Sequence, residues 1–63
     1  MSNVMLEFTG VVKATTDEAC LINIDGVTGW VPDSKVDYTD EPIVGDEIDL
    51  EIPKWIAENK GFI

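Results

Sequence analysis

The side chains able to do chemistry in this sequence are nearly all carboxylates. Thirteen Asp and Glu stand against four Lys, with no His and a single cysteine, Cys20. A Ser–His or Cys–His nucleophilic pair needs an imidazole, so that chemistry is excluded by inventory. With one thiol and no imidazole, a Cys/His zinc site and an internal disulfide are excluded as well. Two carboxylates could serve as general acid and base. A substrate pocket of ~300 Å³ or more, however, is hard to form in so short a chain. The expectation is a protein that is not an enzyme and that holds no cofactor.

The acids fall into two groups. Asp37, Asp40 and Glu41 belong to a polar stretch whose irregular spacing lacks the D-x-D-x-D-G pattern of a calcium loop, so a solvated acidic loop is expected rather than a metal site. Glu47, Asp49 and Glu51 alternate with Ile48, Leu50 and Ile52. That period of two puts the three acids on one face of a strand and the three aliphatics on the other. Such alternation also arises in any half-buried strand facing water. The net charge of −9 nevertheless favours an acidic interaction surface made of Asp37, Asp40, Glu41, Glu47, Asp49 and Glu51. A surface of this sign attracts basic protein partners and repels nucleic-acid phosphates and anionic lipid. The sharpest reading is mimicry, in which the acids occupy the nucleic-acid site of a basic partner.

The remaining candidates are few. Lys13 and Lys35, with Trp30, are the residues through which the chain could touch a nucleic acid if the fold gathers them. Trp30 and Trp55 are expected in the core, each with its indole N–H held at the edge. Cys20 lies in an apolar run and reads as a small buried hydrophobe rather than a reactive thiol.

Short β-type segments must position these groups. The first runs from about Val4 to Ala14 and is interrupted by Gly10, which suggests a bulge or sharp bend. After a polar turn at Thr15–Glu18 comes Ala19–Ile24. Asp25-Gly26 is a hairpin signal, because both central residues of a type I′ turn need positive φ. Val27–Val31 follows and ends at Pro32. Asp33–Val36 reads as a single helical turn capped by Asp33 or Ser34. Asp37 to Gly45 reads as a loop ending in a brief strand at Ile43-Val44, before the alternating strand from Glu47. Pro53 suits a helix start, Lys54–Lys60 the helix and Gly61 its cap. Together these give one all-β domain over residues 1–63, with the barrel at about 4–52 and a C-terminal helix at about 53–60.

Gly10-Val11-Val12, then Gly26-Val27-Thr28-Gly29-Trp30-Val31, then Ser34, then Val44-Gly45-Asp46-Glu47-Ile48-Asp49-Leu50 resemble, in order and spacing, the S1 branch of the OB fold. That resemblance covers roughly Phe8 to Ile52. It implies a five-stranded, partly open OB-type barrel and, for the family, binding of single-stranded RNA. The family's stacking aromatics and histidine fall on Asp17, Cys20 and Pro32, so the resemblance implies the barrel without the usual base platforms. A base–aromatic stack is worth about 1–3 kcal/mol, so their loss is not minor. The ending Ile52–Gly61, together with Trp30–Ser34, resembles small phage-type proteins, which implies no activity.

The first residues, Met1–Met5, lack a basic stretch and a long apolar run, so no leader or membrane segment is expected and the cytoplasm is favoured. Three roles follow as expectations. The chain is an acidic interaction module, an S1-like single-stranded nucleic-acid binder, or a subunit of an assembly such as a homo-oligomer whose open sheet edges pair.

Overall fold

Local turns organise the first half of the chain. The structure, a computed structural model, describes residues 4–63. Met1, Ser2 and Asn3, part of the stretch read as carrying no leader, lie outside the described residues. Strand β1 (Met5–Thr15) turns into β2 (Ala19–Ile24) at Thr16. The Thr16 hydroxyl accepts the backbone N–H groups of Glu18 and Ala19 at 3.3 and 3.1 Å. A two-residue turn then leads from β2 into β3 (Val27–Pro32). Asp25 and Gly26 both take positive φ there, 50° and 84°, as the type I′ geometry requires. The Asn23 side chain locks this hairpin, donating to the Thr28 hydroxyl at 2.8 Å and accepting from the Gly26 N–H.

Strands β4 (Asp37–Tyr38) and β5 (Glu47–Pro53) complete the sheet. All pairings are antiparallel in one five-stranded sheet of order β3-β2-β1-β5-β4. The sheet curls around its core without closing. The all-β expectation therefore holds, with five strands and one short C-terminal helix, α1 (Lys54–Lys60). No helix among the described residues is long and apolar enough to cross a membrane.

Long β1 pairs with β2 at one end and with β5 along the rest. Its register slips between Val12 and Ala14, so the bulge falls at Lys13 and not at Gly10. Gly10 has a different job. A Cβ built on it would meet Ile22 Cγ2 at 2.6 Å, and both the Asn23 carbonyl oxygen and Ile24 Cγ1 at 2.9 Å. The glycine lets β1 lie close against β2 at this point.

The inner face carries Val12, Cys20, Ile22, Ile24, Val31, Ile48, Leu50 and Ile52, all buried. Ile56 and Ala57 of α1 cover one side of this core, and Phe62 stacks obliquely on Phe8 with ring centroids 6.1 Å apart. Gly61, at φ 81°, ends the helix as expected. The Gly61 N–H donates to the Glu58 carbonyl and that of Phe62 to Ala57, a Schellman pairing that carries Phe62 into the core.

Three local expectations are corrected. Ile43-Val44 forms no strand; the two residues are exposed, and Ile43 accepts from the Asp46 N–H in a turn. The fourth strand is instead Asp37–Tyr38, recruited because Tyr38 pairs with Leu50 and packs on the core. Asp33–Lys35 is a turn closed by the Lys35 N–H on the Pro32 carbonyl at 3.0 Å, not a helical turn. The Asp33 carboxylate is engaged elsewhere, as described below.

Trp55 and Trp30 are the third correction: they are 55% and 42% exposed rather than core. Trp55 precedes the buried Ile56 on a helix too short to bury two faces, and Trp30 occupies the outer face of β3. Trp55→Ala is therefore expected to cost about 1 kcal/mol. Phe62→Ala, from a side chain only 8% exposed, should cost ~3–5 kcal/mol. Thermal melts of the two variants check this, and equal losses would return Trp55 to the core.

Candidate functional site

The outer face of the sheet sorts its side chains by charge. Cross-strand partners share a face with Cβ atoms ~4.5–5.5 Å apart. On this rule Glu7 of β1 sits opposite Glu51 of β5, and Glu51 sits opposite Asp37 of β4. The three carboxylates form one row across three neighbouring strands, spanning roughly 10 Å.

Beside this row, Thr9 is paired with Asp49, and its hydroxyl donates to Asp49 Oδ1 at 2.7 Å. Asp40 joins by accepting the Asp49 backbone N–H on Oδ2 at 3.4 Å, while the Thr39 N–H bonds the Asp49 carbonyl. Further along the same face, Glu47 is opposite Val11. Of the six acids expected, Asp37, Asp40, Glu47, Asp49 and Glu51 thus lie on or beside one face of the sheet. Glu41 is exposed in the loop that follows Asp40.

Glu7 is the acid that sequence reasoning missed. The available signal is its place between Leu6 and Phe8, which alternation turns to solvent, but only the β1–β5 register shows what it opposes. None of the four lysines lies in the row. Lys13 is the bulged residue of β1, Lys35 is in the turn after β3, and Lys54 and Lys60 bound α1. Like charges directly opposed on a sheet cost stability.

At the other end of the same face the character reverses. Ala14, Leu21 and Trp30 are cross-strand neighbours over β1, β2 and β3, and Trp30 is the most exposed of them. Of the residues considered for nucleic acid, Trp30 therefore stands in the open on the sheet. Lys13 immediately precedes Ala14, whereas Lys35 lies beyond the end of β3.

A third cluster lies at the rim. Asp33 Oδ1 accepts two bonds, from the Tyr38 hydroxyl at 2.7 Å and from the Cys20 thiol at 3.4 Å. Burial pushes the Tyr38 hydroxyl well above its ordinary value, and its bonds to Cys20 and Asp33 push it further. Burial likewise raises the Cys20 thiol, opposed by the Tyr38 bond and assisted by Asp33. Cys20 is thus a protonated, buried thiol, as expected of a small core residue, and it is a poor nucleophile in that form.

Asp33 also borders a surface hollow of about 480 Å³, lined with Asp17, Glu18, Pro32 and Ser34. It is a half-open surface depression and not an enclosed pocket. The two turns that border it are tied together, the Asp33 N–H donating to the Glu18 carbonyl at 2.9 Å. The described residues hold no group of three or more side chains suited to a metal ion. The chain matches no protein family model, no curated protein and no solved structure.

Proposed function

We propose that this chain is a non-enzymatic interaction module that presents an acidic sheet face to the basic surface of a nucleic-acid-handling protein. The observation that carries this reading is the Glu7–Glu51–Asp37 row. Side-by-side carboxylates on neighbouring strands are unfavourable in the free protein, and a basic partner relieves the repulsion on contact. A sheet holds these charges at fixed spacing, so little ordering entropy is lost on binding. The charge of −9 steers a basic partner toward this face at low ionic strength.

Glu51→Lys tests the reading with two signals of opposite sign. Glu51 is the middle member of the row, so reversal removes two like-charge contacts. Thermal stability is expected to rise by about 0.5–1 kcal/mol, a few degrees in midpoint. Capture of a basic partner from lysate should fall at least ~10-fold at low salt, in nuclease-treated and untreated samples alike. A variant that is stabilised yet captures the same partner undiminished would show that the row is only a solvated face.

A second reading is favoured by the exposed Trp30 beside Leu21. An open indole on a sheet is a platform on which a base stacks, which suits an S1-like single-stranded nucleic-acid binder with Lys13 and Lys35 as its phosphate contacts. Net charge opposes it. RNA or DNA recovered with the tagged protein, and lost on Lys13→Glu or Trp30→Ala, would favour this alternative.

A further inference from the structure

The two edges of the sheet are built differently. β4 is an edge of two residues, one of them the exposed Asp37, and short charged edges resist pairing. β3 is an edge of six residues, Val27-Thr28-Gly29-Trp30-Val31-Pro32, without a charge. The hairpin geometry tells which of its backbone groups are free. In a two-residue turn the flanking residues, here Ile24 and Val27, exchange both ladder bonds. Bonded pairs then alternate, so Gly29 and Val31 bond β2, while Thr28 and Trp30 direct their N–H and C=O groups to the open side. The 2.8 Å bond between the Asn23 and Thr28 side chains agrees, because non-bonded pairs bring side chains closest.

We infer that β3 is a dimerisation strand and that its partner is β3 of a second copy of this chain. An antiparallel pair about a two-fold axis through Gly29 sets Thr28 opposite Trp30 of the second copy, and the reverse. All four open groups of each strand segment then find partners. Gly29 meets Gly29 at the axis, where the strands approach most closely; its inner face is covered by Phe62 and Lys60 of the same chain, 3.3 and 3.4 Å from where a Cβ would stand, which leaves the outer face and the edge for the second copy. Val27 faces Val31 of the second copy, so no charged residue of the strand opposes another.

Other registers serve the edge less well. Centring on Trp30 would set Thr28 against Pro32, which has no N–H to give. The pairing also covers Trp30, an exposed aromatic with no other account in the fold. The carboxylate row lies on β1, β5 and β4, separated from this edge by β2. A second copy suits the edge better than a basic partner does, since β3 offers no charge to recognise one.

This inference is independent of the proposed acidic function, and salt separates the two. Two chains of −9 repel, so the dimer strengthens as salt rises, whereas a complex with a basic partner weakens. An edge pair of this length buries less than the ~1,200 Å² of a standard interface, so assembly is expected between about 10 µM and 1 mM.

Sedimentation equilibrium over that range, at low and high salt, is the test, with amide exchange followed by NMR in the same samples. The expected result is a mass that saturates at twice the chain mass, tighter at high salt. The Thr28 and Trp30 amides should gain protection as concentration rises. Thr28→Pro removes one edge donor per copy and should weaken association at least ~10-fold. Trp30→Lys, which keeps every backbone donor and adds edge charge, should do the same if the proline variant fails to fold. A monomer throughout the range overturns the inference. So does a dimer whose Thr28 and Trp30 amides exchange freely, or growth beyond two copies, since β3 is one edge and closes on itself.

Discussion

Gly10→Val is expected to leave this chain without a fixed tertiary structure at room temperature. The reason is close approach rather than backbone conformation, because Gly10 is not among the positive-φ glycines. On conformational grounds alone, replacing a strand glycine should help, by roughly 0.5–1 kcal/mol. The contacts reverse that sign. The first added carbon meets Ile22 Cγ2 at 2.6 Å and the Asn23 carbonyl oxygen at 2.9 Å. A side chain can rotate away; a carbonyl held in a strand cannot, unless β1 lifts off β2.

Gly10→Ala is then expected to cost ~2–3 kcal/mol, at the upper end of the overpacking range. Valine, with two further carbons in a buried site, should cost more than that. A 63-residue chain has roughly 3–9 kcal/mol in all. Loss of near-ultraviolet circular dichroism and of dispersed amide signals is the expected readout for valine, and a large drop in thermal midpoint for alanine. If Gly10→Ala melted at or above the parent, the strands would have room that the contacts deny.

The contrast between Gly10 and Gly26 shows what a sequence can and cannot convey. Asp25-Gly26 announces its turn because the chemistry is local: two adjacent residues need positive φ, and the pair is suited to it. Gly10 looks like a bend for the same local reason, yet its cause is the approach of Ile22 and Asn23, residues distant in sequence. The same division runs through the site. Alternation along Glu47–Ile52 was enough to sort the acids outward and the aliphatics inward. It could not pair Glu51 with Glu7 and Asp37, because register is set between strands.

The tryptophans mark a different limit. Size and apolarity favour burial on average, but the core here is filled by aliphatics from β1, β2, β3 and β5, with Phe62 and Ile56 as its cover. Once that volume is filled, Trp30 has only the outer face. β4 shows the reverse case. Asp37-Tyr38 carries almost no strand signal of its own, and it pairs because Tyr38 is anchored from two directions, by Leu50 across the ladder and by Asp33 through its hydroxyl.

That anchor leads to the second large effect. Asp33→Ala is expected to cost ~2–3 kcal/mol, since it deprives a tyrosine hydroxyl and a buried thiol of their shared acceptor. For a domain of this size the loss amounts to about 10–20 °C in midpoint. It should be felt first in β4, whose two residues have little else to hold them, and with β4 goes the Asp37 end of the acidic row. The cluster also sets an alkaline limit. In the unfolded chain Cys20 and Tyr38 release their protons near the ordinary 9.0 and 10.0, whereas in the fold both hold them to higher pH. Above pH 9 the unfolded state therefore binds fewer protons than the native one, and stability falls as pH rises. Below that window the contribution is complete, so this pair gives no change in melting midpoint between neutral pH and pH 8. Tyr38→Phe should lower the midpoint at neutral pH, through the lost bond to Asp33, and flatten the decline between pH 9 and 11. Cys20→Ala should flatten it less, because the thiol bond is long and the shift smaller. A decline of unchanged slope in Tyr38→Phe would mean that the alkaline sensitivity arises elsewhere and that the Asp33 cluster holds β4 by geometry alone.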